Sequence, residues 1–110
     1  MEFLLITLNK EEYFEKIVSL LVEAGVEGAT IVDAEAVGHF LAHEVPIFAG
    51  LRQLVGEAKT LSKVITALLE DDNSFSVFKK LLEEEEIDFT KPDVGYVITV
   101  PVSKAIKPEA

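Results

Sequence analysis

The order in which short apolar runs alternate with amphipathic segments is the feature that most constrains the fold of this chain. Residues 3–7 form a short, branched and largely apolar run, which predicts a first strand. Apolar residues then recur at helical spacing over 14–24, and Gly25 is a natural helix stop. Asn9 and Glu12 have the spacing of a capping box, so we expect this helix to begin directly after Asn9.

The rest of the chain continues the alternation, with two strands in succession. Residues 28–38, which run from one glycine to another, predict strand two, and residues 61–69 predict strand three. Turn and cap residues at 71–74 introduce a second helix that ends in the acidic run 83–86, and residues 96–102 predict strand four. This β-α-β-β-α-β order predicts an α+β ferredoxin-like sandwich, in which a four-stranded antiparallel sheet carries two helices on one face.

Length, charge and cysteine content narrow the function classes. A chain of 110 residues fits one domain, which we expect over 1–110 with a long loop at about 39–59 and a short tail at 103–110. The net charge of −10 argues against binding nucleic acid or an anionic membrane surface. The sequence has no cysteine, no signal-peptide pattern at its start and no apolar stretch of bilayer length, so we expect a cytoplasmic protein without membrane insertion.

Both faces of the predicted sheet are apolar. Strand one has consecutive large apolar residues at 3–6, and strand four places Val97 on one face and Ile98 and Val100 on the other. Burying a large apolar side chain contributes roughly 1.5–3 kcal/mol, and a large apolar face left in water favours aggregation. We therefore expect another copy of the chain to cover the second face.

Three stretches of this sequence, in register, resemble the PII signal-transduction family over nearly the whole chain. Residues 23–43 align without a gap with the end of the family's first helix and its strand two, and they keep two glycines, a threonine and His43. Residues 62–69 are similar to the family's strand three, and residues 95–102 are similar to its closing strand. The resemblance implies a homotrimeric, non-enzymatic sensor of this fold.

The resemblance also implies where a ligand and a partner would bind. Members of the family bind adenine nucleotides, often with 2-oxoglutarate, in clefts between subunits, and contact target proteins through a long loop after strand two. That loop corresponds here to the segment at about 39–59. The implied ligand-binding residues of this chain are Gly38, His39, Lys63, Gly95 and Lys107.

The chain departs from the family at the residues that handle ATP and 2-oxoglutarate. In the stretch that corresponds to the family's phosphate-binding turn, Pro92 removes a backbone donor and Tyr96 replaces a lysine, and four acidic residues at 83–86 precede it. Phe40 replaces a glutamine that contacts the metal and 2-oxoglutarate. The ligand is therefore unknown, and an adenine nucleotide is one option with a degraded binding motif.

The segment after strand two is unusually apolar for a loop. Phe48 and Leu51 fit apolar anchors for a protein target, with Arg52 as a charged contact. The alternative is that this segment packs on its own trimer or forms a short helix over 50–58. The same sequence therefore also allows a structural oligomer that binds no ligand.

The two histidines suggest an alternative function, a metal-binding ferredoxin-like trimer that uses His39, His43 and Glu44. On one straight strand the imidazoles would lie about 13 Å apart at ~3.3 Å per residue, whereas metal–nitrogen bonds are about 2.0–2.1 Å long. A turn or a neighbouring subunit would have to bring them together. A hydrogen-bonded surface or interface histidine is the other interpretation. The sequence has no Ser-His-Asp arrangement, no phosphate loop and no paired cysteines, so we expect no enzyme.

Overall fold

The computed structural model describes residues 1–47 and 62–108 and has a ferredoxin-like α+β fold. The four strands within these two ranges are β1 (Glu2–Leu8), β2 (Thr30–Ala34), β3 (Ser62–Leu69) and β4 (Gly95–Pro101). The helices of the described residues are α1 (Phe14–Glu23), α2 (Val37–Glu44) and α3 (Ser74–Glu84). The strands form one sheet in the order β2-β3-β1-β4, with every neighbouring pair antiparallel. The predicted fold class is confirmed, and α2 is an addition to it.

The core lies between one face of the sheet and helices α1 and α3. On the central strand β1, Leu4, Ile6 and Leu8 are at most 1% exposed. Ile17 of α1 and Phe78 of α3 are equally buried and belong to the same cluster as these strand residues. The helical spacing of apolar residues in both helices and their alternation in the strand therefore meet in a single core.

Helix α1 ends in the backbone conformation that its glycine predicts. Gly25 has a φ of +82°, a value that costs little without a Cβ. The backbone N–H of Val26 donates to the carbonyl of Leu21 at 3.0 Å, which is the hydrogen bond of a Schellman cap.

Helix α3 ends in the same hydrogen-bond pattern with a different residue. Glu86 occupies the position of the capping glycine and has a φ of +59°. Ile87 N–H donates to the carbonyl of Leu82 at 3.0 Å, and both side chains are buried in the core. The cap therefore forms around a glutamate, which costs conformational energy that a glycine would avoid.

The start of α1 differs from the capping box predicted at Asn9 and Glu12. A short 3₁₀ turn at Glu11–Tyr13 leads into the helix, and no side chain caps either element. The backbone N–H of Asn9 instead donates to the carbonyl of Val94 at 2.9 Å. Asn9 is therefore tied to the loop before β4, and the helix begins later than we expected.

Strand two and the loop after it also differ from the sequence prediction. Strand β2 ends at Ala34, and residues 37–44, predicted as strand end and loop, are helical. The backbone N–H of Phe40 donates to the carbonyl of Ala36 at 3.0 Å, which opens the first turn of α2. A contact between His39 and Glu35, four residues apart, lies across the same turn. The predicted start of the loop at 39 is therefore wrong, and most of the rest of that loop lies outside the described residues.

The pairing register assigns each strand residue to one of two faces. Ile6 pairs with Ile65 and Val97 on the face beneath α1 and α3, which we call the covered face. Leu5 pairs with Thr66 and Ile98 on the opposite face, which we call the open face. The open face consists of Phe3, Leu5, Thr7, Thr30, Val32, Ala34, Ser62, Val64, Thr66, Leu68, Tyr96, Ile98 and Val100.

The large apolar side chains predicted on the second face are indeed on the open face. Val32, Tyr96, Ile98 and Val100 are 43–51% exposed. Within residues 1–47 and 62–108, no helix is long and apolar enough to cross a lipid bilayer.

Candidate functional site

One row of the sheet brings together two residues, Lys63 and Gly95, that the sequence suggested for ligand binding. Lys63 pairs with Asp33 on one side and with Leu8 on the other, and Leu8 pairs with Gly95. Because neighbouring strands are about 4.8 Å apart, the backbones of Lys63 and Gly95 are separated by roughly 10 Å. Helix α2 follows β2 directly, so it leaves the sheet from this same end, which we call the site end.

Lys63 is held by a carboxylate at the site end. Its amine forms an ion pair with Asp33 on β2 and lies 5.3 Å from the centroid of the Phe14 ring. The hydrogen bond to Asp33, together with its negative charge, raises the pKa of the Lys63 amine above its ordinary value. Lys63 therefore stays a cation across the neutral range, and an anionic ligand would have to compete with Asp33 for it.

Gly95 has a structural reason to be a glycine. Its φ is +134°, and a Cβ built on it would lie 1.8 Å from the carbonyl oxygen of Thr7 on β1. Only a residue without a side chain fits so close to the neighbouring strand. The conformation of Gly95 is thus required by the sheet, independently of any ligand.

Lys107 lies away from the other predicted ligand residues. Its amine forms an ion pair with Glu70, which follows the far end of β3. Lys63 stands seven residues before Glu70, so about 20 Å of extended strand separates the two ends of the sheet. Within one chain, Lys107 does not join the site end. It lines a separate cleft of about 510 Å³ together with Gly25, Gly28 and Ser74.

Gly38 and His39 lie in the first turn of α2 rather than at the end of a strand. His39 contacts the carboxylate of Glu35, with 3.0 Å between Nδ1 and Oε1. The rings of His39 and His43 have centroids 4.3 Å apart and planes tilted by 31°. In helix α2 the two imidazole rings are therefore in direct contact, rather than about 13 Å apart as they would be on a straight strand.

Glu44 does not complete a metal site with the two histidines. It follows His43 by one position on α2, which turns its side chain about 100° around the helix axis. Across the described residues, no group of three or more His, Cys, Asp or Glu side chains is arranged to hold a metal ion. Within the described residues of one chain, Glu44 is therefore not brought together with the two histidines, and its role as a third ligand stays a prediction.

The proposed partner-binding residues Phe48, Leu51 and Arg52 lie outside the described residues. Their role stays a prediction of the sequence.

A larger apolar cleft lies on the α3 side of the molecule, and the sequence did not single it out. It has a volume of about 810 Å³ between α3, the loop that follows and β4. Its apolar lining consists of Phe75, Phe78, Leu82, Ile87, Phe89 and Val97. At helical spacing Phe75 and Phe78 look like ordinary core residues, so only the position of Phe89 in the following loop could have signalled a cleft.

The loop beside this cleft is fixed by a carboxylate. Asp88 accepts hydrogen bonds from the hydroxyl of Thr90 at 2.5 Å and from its backbone N–H at 2.9 Å. These two bonds, the hydroxyl first, hold the pKa of Asp88 below its ordinary value. The arrangement is that of an Asx turn, which gives the loop a defined shape.

At the site end, the structure places Lys63 and Gly95 in one row of the sheet, with the Lys63 amine paired to Asp33. No model of a known protein family matches the chain, and no curated protein sequence matches it either.

Proposed function

We propose that this chain is a PII-like, homotrimeric and non-enzymatic regulator of the cytoplasm that binds a small ligand or a protein partner. The observation that carries the proposal is the apolar open face of a ferredoxin-like sheet. A trimer whose sheets pack inward would cover that face, and the site ends of its subunits would then border clefts between chains.

The composition of the open face supports association between copies. None of its thirteen residues carries an ionisable acid, lysine, arginine or histidine, although 27% of the chain is charged. Each copy has a net charge of −10, so copies repel one another at long range. An uncharged apolar face is the surface on which two such chains approach with the least electrostatic cost.

The ion pair at the site end supports a sensor for an anionic ligand. Asp33 neutralises Lys63, and it lies on β2 just before α2. An anion that binds Lys63 displaces Asp33, and the freed residue is only four positions from the first residue of α2. Ligand binding would in this way be coupled to the segment that leads to the proposed partner loop.

Light scattering after size-exclusion chromatography tests the assembly. We expect a species with three times the chain mass of 12.1 kDa at micromolar protein concentration. A monomer at all concentrations would overturn the trimer, the sensor that depends on it and the structural oligomer together. A dimer would overturn the trimer alone.

A thermal-shift screen tests ligand binding. The panel contains ATP, ADP, AMP, cyclic nucleotides and bicarbonate, and a ligand that binds the folded protein raises its melting temperature by mass action. We expect Lys63→Met to abolish the shift and Lys80→Met, at an exposed residue of α3 that lines neither cleft, to keep it. A trimer with no shift for any of these ligands would favour a structural oligomer over a sensor of anions.

A further inference from the structure

Helix α2 places the chain's two imidazoles side by side. His39 and His43 are four residues apart, so they lie on one side of the helix, and their ring centroids are 4.3 Å apart. Two histidines in this relation can donate nitrogen atoms to a single ion after small side-chain rotations. On a straight strand, as the sequence predicted, the two rings would lie too far apart to bind one ion.

The Glu35 carboxylate orients one of the two rings. A carboxylate oxygen accepts, so the Nδ1–H of His39 donates to Oε1 of Glu35 at 3.0 Å. This hydrogen bond fixes the tautomer of His39 and leaves its Nε2 with a free lone pair. Histidines that bind metals usually have such a carboxylate or carbonyl acceptor behind them.

The second ring carries a nitrogen that has no hydrogen-bond partner among the described residues. The Nε2 atom of His43 is buried, and it makes no hydrogen bond to any of the described residues. A buried polar atom without a partner lowers the stability of the fold. A coordinate bond to a metal ion would satisfy this nitrogen.

We propose that His39 and His43 form a chelating site for a divalent transition metal ion of the Zn²⁺ or Cu²⁺ type, with Glu35 as the carboxylate that orients His39. Among the residues that the structure describes, the two imidazoles are the protein ligands, and water fills the other coordination positions. Imidazole nitrogen suits these ions, whereas Mg²⁺ prefers oxygen ligands. The proposal does not depend on the regulatory function above, because it uses three residues within 35–43 of one chain.

Calorimetric titration of the whole chain with ZnCl₂ and with CuCl₂ tests the site. We expect one ion per chain, with binding weakened at least tenfold in both His39→Gln and His43→Gln. Glu35→Gln should weaken binding by about 10–100-fold, which is the usual effect of removing such an acceptor. Glu44→Gln is the matched control, because it removes a neighbouring charge without touching the rings, and MgCl₂ should give no comparable heat.

The outcomes separate a histidine site from binding by the acidic surface. If both histidine variants bind as the parent chain does, surface carboxylates hold the metal and the proposal is overturned. Absence of binding in the parent chain overturns it as well.

Histidine NMR signals give a test that needs no variant. Substoichiometric Cu²⁺ should broaden the ring signals of His39 and His43 together, before those of residues elsewhere in the chain. If only one ring is affected, the ion is not shared, and the chelating site is wrong.

Discussion

Leu5 and Ile6 are neighbours on the central strand β1, yet they meet different surroundings. Ile6 is completely buried beneath the helices, whereas Leu5 is half-buried on the open face. The covered face is completed by residues of the same chain, whereas the open face combines large apolar residues with three threonines, a serine and a tyrosine and carries no charge. The comparison teaches that apolar character alone does not reveal a core within one chain. The two faces differ because helices α1 and α3 pack against only one of them.

The largest expected effect is a loss of stability when packing at the covered face is disrupted. Ile6→Ala removes a fully buried side chain from the core and should lower the free energy of unfolding by about 2–5 kcal/mol. Urea denaturation at two protein concentrations measures this loss, which should be the same at both. Leu5→Ala is the matched variant on the open face, and its loss should grow with protein concentration because association contributes there. Equal behaviour of the two variants would contradict the distinction between the faces.

The second prediction concerns association between copies through the open face. Ile98→Lys puts a charge on β4, at a side chain that is 43% exposed, and should dissociate the assembly while the fold is kept. Light scattering and circular dichroism measure the two effects. Ile31→Lys is the control, since Ile31 is 47% exposed on the other edge strand but belongs to the covered face. If both variants dissociate the assembly, or if neither does, association does not depend on the open face specifically.

The third prediction strengthens the helix layer over the covered face. Glu86→Gly removes a side chain from a left-handed backbone conformation and should raise the free energy of unfolding by about 1 kcal/mol. Gly25→Ala, at the corresponding position of α1, should lower it by a similar amount; a Cβ there meets no atom within 4 Å, so its penalty is conformational. Thermal and urea unfolding measure both. Effects of the same sign would contradict the common role of the two residues.

The smallest expected effect is on the pH dependence of the free energy of unfolding. This dependence comes from charged groups and not from apolar contacts. The pKa of Asp88 is lowered in the folded chain, so its contribution to stability is present above its ordinary pKa and is lost as the pH falls below about 4. Thr90→Val removes the hydroxyl donor, and the loss of stability between pH 7 and pH 3 should become smaller. The open face has no carboxylate, so Ile98→Val should leave this pH dependence unchanged. Urea unfolding at the two pH values tests both; an unchanged slope in Thr90→Val would contradict the role of its hydroxyl.

The sequence predicted the strands β1, β3 and β4 and both long helices because their patterns are long and consistent. It failed at residues 35–44, where small and apolar residues fit either a strand or a helix. An eight-residue helix is too short for its periodicity to stand out, so the sequence pattern did not separate it from the end of β2.

The candidate site was predictable only in part. Lys63 and Gly95 lie in one row of the sheet because both pair with Leu8. The strand order predicts that β3 and β4 flank β1, but the row also depends on the pairing register. The separation of Lys107 from that row and the contact between His39 and His43 depend on where the tail and α2 run. No local pattern in the sequence contains that information.

The sequence by itself determined the ferredoxin-like order of elements and the apolar character of both sheet faces, since both follow from hydrophobic periodicity along the chain. Only the tertiary structure decided that Asp33 neutralises Lys63, that Gly95 must lack a side chain beside Thr7, and that the two imidazoles touch. The physical reason is that these contacts depend on distances of a few ångströms between segments. Periodicity specifies which side of an element is apolar, but it does not fix the position of one element against another.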